Sequence, residues 1–176
     1  MTMSNTSQSV VRLACPEDED DLVSGANELW QDNGIFQISE EKIEAVIRRA
    51  IYPQVREPND PPVIIGVIGK PGAVEASLGM MITQHWYTDA WHVEELWNFV
   101  RPQYRKSNHA KSLIDFAKNA QAKLTIPLLI GILSCERTKG KIKLYSRRLG
   151  EPAGAYFVWP SWTELNEQQK AAEHAA

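Results

Sequence analysis

The stretch Phe99-Val-Arg-Pro-Gln-Tyr-Arg-Lys-Ser-Asn-His-Ala-Lys-Ser-Leu-Ile-Asp-Phe-Ala117 decides how this chain is read. An apolar strand stops at Pro102, a short basic and polar turn follows, and a helix opens with Asn108 as its N-cap. Such a start leaves several backbone N–H groups without an intrahelical partner, all aimed at one spot. The positive end of the helix and the side chains of Arg105, Lys106 and Lys111 add charge of the sign that suits a phosphate. The stretch therefore points to a ligand with a pyrophosphate. Taken alone, it also fits an ordinary helix start rich in solvated lysine and arginine.

Upstream, Val10–Ala14 is a short strand, and Cys15-Pro-Glu-Asp-Glu-Asp-Asp opens a helix whose first turn is crowded with acids. Leu22, Val23, Ala26, Leu29 and Trp30 continue it at helical spacing until Asn33-Gly34. Ser39-Glu-Glu-Lys-Ile starts a second helix, with Ile43, Val46, Ile47 and Ala50 facing inward. Pro62–Gly69 and Ala73–Trp86 read as a hairpin around Lys70-Pro-Gly, and Trp91–Val100 is the strand that leads into the opening motif. Downstream lie a helix over Asn108–Leu124, a buried strand over Ile126–Leu133, a helix over Thr138–Leu149 ending at Gly150, and a last strand over Ala153–Trp159. The order β-α-α-β-β-β-α-β-α-β implies an α/β fold whose mixed sheet carries helices on both faces.

A chain of 176 residues with 43% hydrophobic and 23% charged residues is expected to be one globular domain. Its boundaries are placed at residues 10–160, between a disordered polar tail (1–9) and a second polar tail (161–176). A net charge of −3 argues against non-specific nucleic-acid binding as the main business. Cys15 and Cys135 stand far apart with no metal-ligand spacing, so no zinc site and no disulfide scaffold are expected, and a reducing cytoplasm is the expected compartment. No signal peptide opens the chain and its apolar runs are too short to span a bilayer, so no membrane partner is expected. A homodimer stays open.

Two motifs, in register with this order, resemble the GCN5-related N-acetyltransferase (GNAT) superfamily. Val100-Arg-Pro-Gln-Tyr-Arg105-Lys-Ser-Asn108-His-Ala110 is similar to its cofactor signature, Arg/Gln-x-x-Gly-x-Gly/Ala after a strand ending Val-x-Pro-x-Tyr-Arg. Leu144-Tyr145-Ser-Arg-Arg-Leu-Gly150 is similar to its Leu-Tyr-x-x-x-Gly-Phe segment. The resemblance covers Val10 to Trp159, and short chains of this kind also occur among phage-encoded members. It implies the GNAT acyl-CoA N-acyltransferase fold, acetyl-CoA as co-substrate, an amine acceptor of unread identity, and direct transfer without a metal. Two positions depart from the pattern. Asn108 stands at the first glycine, where asparagine best tolerates a left-handed backbone. Thr138 stands seven residues before Tyr145, where many members place an asparagine that contacts the cofactor.

On this reading the amides of Lys106, Ser107, Asn108, His109 and Ala110, with Arg105 beside them, cradle the pyrophosphate. Phe99, Val100 and Arg101 pair main chain with the pantetheine amides, and an N–H near Val100 polarises the thioester carbonyl. An acceptor ammonium must first lose a proton, at a cost of about 4–5 kcal/mol at pH 7. Glu94 and Glu95 sit inside an apolar strand, an expensive place for charge. Glu94, eleven residues before Arg105, has the spacing of the base in the histone-acetylating branch. Alternation puts the two glutamates on opposite faces, and a bulge would swap them. The resemblance gives Tyr145 the role of general acid toward the leaving thiolate; as a bare residue it equally fits a core face with Ile142 and Leu149. His92 and His109 read as packing or capping groups. Trp86, Trp91 and Trp97 read as core or groove residues, and the basic run from Arg137 to Arg148 as a solvated face that also suits the cofactor's 3′-phosphate. Two other readings stay open: a protein of the same fold that binds acyl-CoA or a protein partner without catalysis, and a nucleic-acid module built on segments 101–111 and 137–148.

Overall fold

The β-branched run around Val63–Ile68 forms a strand, β2 (Val63–Lys70), which turns at Gly72 into β3 (Ala73–Gln84) and then, after a second turn, into β4 (Trp91–Val100). The computed structural model in which these lie describes residues 9–33, 38–132, 138–157, 159, 160, 164 and 167. They belong to two compact units, Met1–Ala26 with Ser39–Gly131, and Asn27–Ile38 with Ile132–Ala176. The expected tails lie almost wholly outside the described residues, as does Cys135.

In the first unit a five-stranded sheet runs in chain order from β1 (Arg12–Leu13) through β4 to β5 (Leu128–Leu129). Neighbours are antiparallel up to β4, and β4–β5 is parallel. The first five expected strands are found in the expected chain order, and the sheet is mixed as expected, while the outer strands are shorter than expected. Only Val93 and Glu94 of β4 are matched by β5, at Leu128 and Leu129.

One face of the sheet holds Val63, Ile65, Val67 and Val74 against Leu22 of α1 (Glu19–Asn33) and Ile47 and Ile51 of α2 (Glu40–Ile51). Helix α2 begins where Ser39 accepts a hydrogen bond from the Lys42 amide (3.4 Å), and it carries acids in its first turn and Arg48 and Arg49 in its last. The opposite face holds Ile68, Ala76, Leu78, Met80 and Val93 against Leu113 and Ala117 of α3 (His109–Leu124). Apolar residues at helical spacing thus found the two expected faces.

The second unit contains α4 (Thr138–Leu149), which stops where Gly150 adopts φ +98° and donates to the Ser146 carbonyl (3.1 Å). The last expected strand, Ala153–Trp159, is not one: among its described residues none joins a ladder, and Tyr156, Phe157 and Trp159 are exposed. β-propensity is a fit to a neighbouring strand, so aromatic composition alone does not make one.

Candidate active site

The decisive local feature is a bulge in β4. Leu78 pairs with Asn98 and Gly79 with Trp97, but Met80 pairs with Glu95, so Leu96 is an extra residue. From Leu96 on, alternation is inverted. Before it, Val93 packs on the α3 face and its N–H donates to the Pro127 carbonyl beside β5 (2.8 Å). After it, Trp97 packs on the α1–α2 face, and the Arg101 N–H donates the other way, to Glu75 of β3 (3.0 Å). Cross-strand partners share a face, so Glu94, opposite Met81, faces the α1–α2 side, and Glu95, opposite Met80, faces the α3 side. Both glutamates are half-buried. The bulge lies C-terminal to them, so it leaves their opposition intact and reverses the residues that follow.

The same inversion sorts the main chain of the strand's end. With the Arg101 amide committed to β3, the ladder alternation turns the peptide groups of Val100 toward the outer edge and those of Phe99 inward. Phe99 is buried, its ring the nearest neighbour a Cβ on Gly25 would meet (3.5 Å). The Arg101 side chain is also spent locally: its guanidinium donates to the Val74 carbonyl (2.8 Å) and to Asp21 Oδ1 (3.1 Å). The expected outward pairing of Phe99 and Arg101 is therefore corrected, since their peptide groups face β3, while those of Val100 face the outer edge.

After β4 the chain makes a tight turn at Pro102–Tyr104 and enters α3. The turn uses the Tyr104, Arg105 and Ser107 amides internally, on the carbonyls of Arg101, Pro102 and Tyr104. Asn108 is the N-cap, as expected, with φ −91° and its carbonyl accepting from the Ser112 amide (3.0 Å). The expected need for a left-handed backbone at this position is corrected: the angle is ordinary for any residue. Ser107 performs the side-chain capping instead, its hydroxyl accepting from the His109 amide (3.1 Å), while Asn108 Oδ1 accepts from Lys111 Nζ (3.0 Å).

Of the five consecutive amides expected to form a cradle, two are taken within the protein. Ser107 and His109 are used. Those of Lys106, Asn108, Ala110 and Lys111 have no partner among the described residues. Arg105 Nε donates to the Val100 carbonyl (3.2 Å), which ties the turn to the strand's end.

His109, buried at the start of α3, lies between Ser9 Oγ on Nδ1 (2.8 Å) and Glu75 Oε2 on Nε2 (2.8 Å). That is a packing and tying role, as its sequence position suggests. Thr138 and Tyr145 lie in the second unit, at the first residue of α4 and, buried, two turns along it. Ile142 and Leu149 are exposed at 39% and 42%, so the expected core face does not extend evenly around Tyr145.

The acids of the first helix, read as favourable dipole partners, have individual assignments that sequence reasoning missed. Asp18 is fully buried and accepts two hydrogen bonds from Arg12 (2.6 and 2.8 Å) and one each from the Cys15 (2.9 Å) and Gly72 (3.1 Å) amides. Burial pushes the Asp18 carboxyl up, but the Arg12 guanidinium and those amides outweigh it and hold the group at about 2. Glu19 pairs with Arg48 (2.6 Å) and Tyr52 (3.0 Å) and lies below the usual carboxylate range, Arg48 being the main cause. The ties from Asp18 to Gly72 and from Glu19 to Arg48 and Tyr52 join elements far apart in sequence, and a single chain offers no signal for such a pairing.

No protein-family model and no curated protein matches the sequence. Solved structures do. Ribosomal-protein-alanine N-acetyltransferase from Brucella melitensis biovar Abortus 2308 superposes with TM-score 0.61 at 12% identity, over 86% of this chain and 98% of that one. The acetyltransferase AAC(6')-Iy, in complex with a bisubstrate analogue of CoA and acetylneamine, gives 0.64 at 14% identity, over 88% and 99%. A predicted acetyltransferase from Clostridium acetobutylicum with acetyl-CoA gives 0.63 at 13%, over 88% and 97%. At such identities a likeness speaks for the fold, and together with the parallel β4–β5 pair and the strand–turn–α3 passage it is decisive: this chain has the fold of the GNAT acetyltransferases.

Proposed function

We propose that the protein is an N-acetyltransferase that moves an acetyl group from acetyl-CoA to a primary amine by direct attack. The observation that carries this reading is the passage from β4 to α3. The amides of Lys106, Asn108, Ala110 and Lys111 have no partner among the described residues, and Arg105 and Lys106 lie in the same turn. Donors without partners beside cations suit a diphosphate. The co-substrate supplies an activated acetyl thioester. Val100, whose peptide groups turn outward where β5 no longer runs alongside, would pair with its amide-bearing arm.

Glu94, half-buried on the α1–α2 face just before the bulge, would take the ammonium proton, directly or through a water. The amine nitrogen then bonds to the acetyl carbon, the carbon–sulfur bond breaks with its electron pair left on sulfur, Tyr145 would protonate that sulfur in the role the resemblance gives it, and the nitrogen's second proton passes through solvent to the tyrosinate, leaving a neutral amide and a free thiol. Arg101 contributes no charge to the anion, because its guanidinium is held by Asp21 and Val74. The case for a fold that binds without catalysis loses one ground at Asn108, whose backbone never required glycine.

Titration with CoA, followed by amide NMR, should move the signals of Lys106, Asn108, Ala110 and Lys111 most. Mass spectrometry with an amine panel then detects transfer. Glu94→Gln should lower kcat by about 10²-fold or more with CoA affinity unchanged; an equal kcat removes Glu94 as base, and CoA binding without transfer to any amine removes the enzyme.

A further inference from the structure

His92 lies on β4 two residues before Glu94 and opposite Thr83, so the two side chains share the α1–α2 face of the sheet. Its ring is 96% buried, given a relative exposure of 4%. It stacks on His85 with centroids 4.3 Å apart, and His85 in turn stacks on Tyr87 at 5.3 Å. In this closed setting Nε2 has no hydrogen-bond partner, one of two such buried side-chain atoms among the described residues. A buried polar nitrogen without a partner is costly, and natural structures keep one chiefly where something else fills the gap. His109, the other buried histidine, has both nitrogens satisfied. The contrast marks His92 as unfinished.

We infer that His92 Nε2 accepts a hydrogen bond from the acceptor amine and so positions its nitrogen beside Glu94; this rests on the acetyltransferase reading above. An ammonium offers three N–H donors, and Glu94 with Nε2 supplies two acceptors. Residues i and i+2 of a strand are roughly 6.6 Å apart, about twice a hydrogen-bond length, so one nitrogen fits between their side chains. With Glu94 taking the proton, Nε2 holds a second N–H and leaves the lone pair aimed along the remaining direction. The acceptor ammonium must therefore offer two N–H donors, one to Glu94 and one to Nε2, which a tertiary amine lacks. His92 is a positioning residue in this scheme and takes no proton itself.

The test uses the full chain, acetyl-CoA, and ethylamine, spermidine and an Nα-blocked lysine peptide as probes. His92→Phe fills the ring's volume without a nitrogen, and His92→Gln keeps a polar group near the place of Nε2. For the best probe, H92F should raise the amine KM about tenfold, H92Q should recover most of the loss, and the acetyl-CoA KM should stay unchanged in both. H92F should melt no lower than wild type, because the replacement leaves no buried polar atom unmet. An amine KM equal in H92F and wild type overturns the inference, as does a parallel rise in both KM values with a lowered melting temperature. A wild-type protein that binds CoA but acetylates none of the probes overturns the proposed function instead. The His92 assignment then rests on the 15N resonance of Nε2 during ethylamine addition: a shift supports it, and its absence overturns it.

Discussion

At the scale of single residues, Asp18 carries the clearest energetic signature. Its buried carboxylate joins β1 through Arg12, the start of the first helix through Cys15, and the β2–β3 turn through Gly72. Its pKa is about 2 in the folded chain against an ordinary 3.8, so the unfolded chain binds the proton more tightly. The stabilisation is therefore fully present above pH 4 and is lost as pH falls through 2. About 2 kcal/mol should disappear across that window, visible as a falling urea midpoint between pH 5 and pH 2. Asp18→Asn should cost about 3 kcal/mol at pH 7 by leaving Arg12 without its partner, and it should flatten that acid-side slope. A D18N slope as steep as wild type would assign the acid sensitivity elsewhere. Five neighbouring acids look alike in the sequence; their different fates come from what each meets across the fold.

At the scale of elements, β4 and the start of α3 form one device. The bulge at Leu96 is seated against Gly79, where a Cβ would stand 2.4 Å from Trp97 Cζ3, and the indole N–H donates to Ser77 Oγ (3.1 Å). Gly79→Ala must displace that ring. It should lower stability by about 1–3 kcal/mol, with a change in tryptophan emission that reports the displacement; an unperturbed spectrum with full stability would show that the bulge tolerates a methyl group. At the helix start, Asn108→Asp separates folding from binding. Aspartate is as good an N-cap and favours the helix dipole, so the melting temperature should hold or rise. The same carboxylate sits where a diphosphate would bind, so CoA affinity should fall about tenfold or more. Unchanged affinity would move the anion site away from this turn.

At the scale of the whole molecule, a ligand that binds the native state alone raises its stability by mass action. CoA at a hundredfold excess over its Kd should add about 2.7 kcal/mol, and for a chain of this size the melting temperature should rise by roughly 5–10 °C. A thermal-shift series in CoA checks this, and no shift at millimolar CoA would defeat the proposed function before any amine is tried. The β1–β5 sheet and α3, between which the proposed anion site lies, belong to one compact unit, so the gain should be read from the transition that melts the sheet.

Local periodicities are legible in the letters alone. Runs such as Val63–Ile68, the 3.6-residue spacing of α2 and α3, and the stop at Pro102 gave the elements, their order and the strand–turn–helix passage, because each depends on residues a few positions apart. Tertiary structure alone decided the features that need a partner. The extra residue at Leu96 exists only in the register against β3, and with it the faces assigned to Trp97, Phe99 and Val100. Which way the peptide groups at the end of β4 face depended on the Arg101 amide reaching Glu75. Ala153–Trp159 has the composition of a strand and no ladder among its described residues. His92 and His109 were indistinguishable as letters, yet one is satisfied at both nitrogens and the other is not. Short-range patterns set the local geometry, whereas hydrogen-bond satisfaction is settled between residues tens of positions apart, and only the folded chain brings those together.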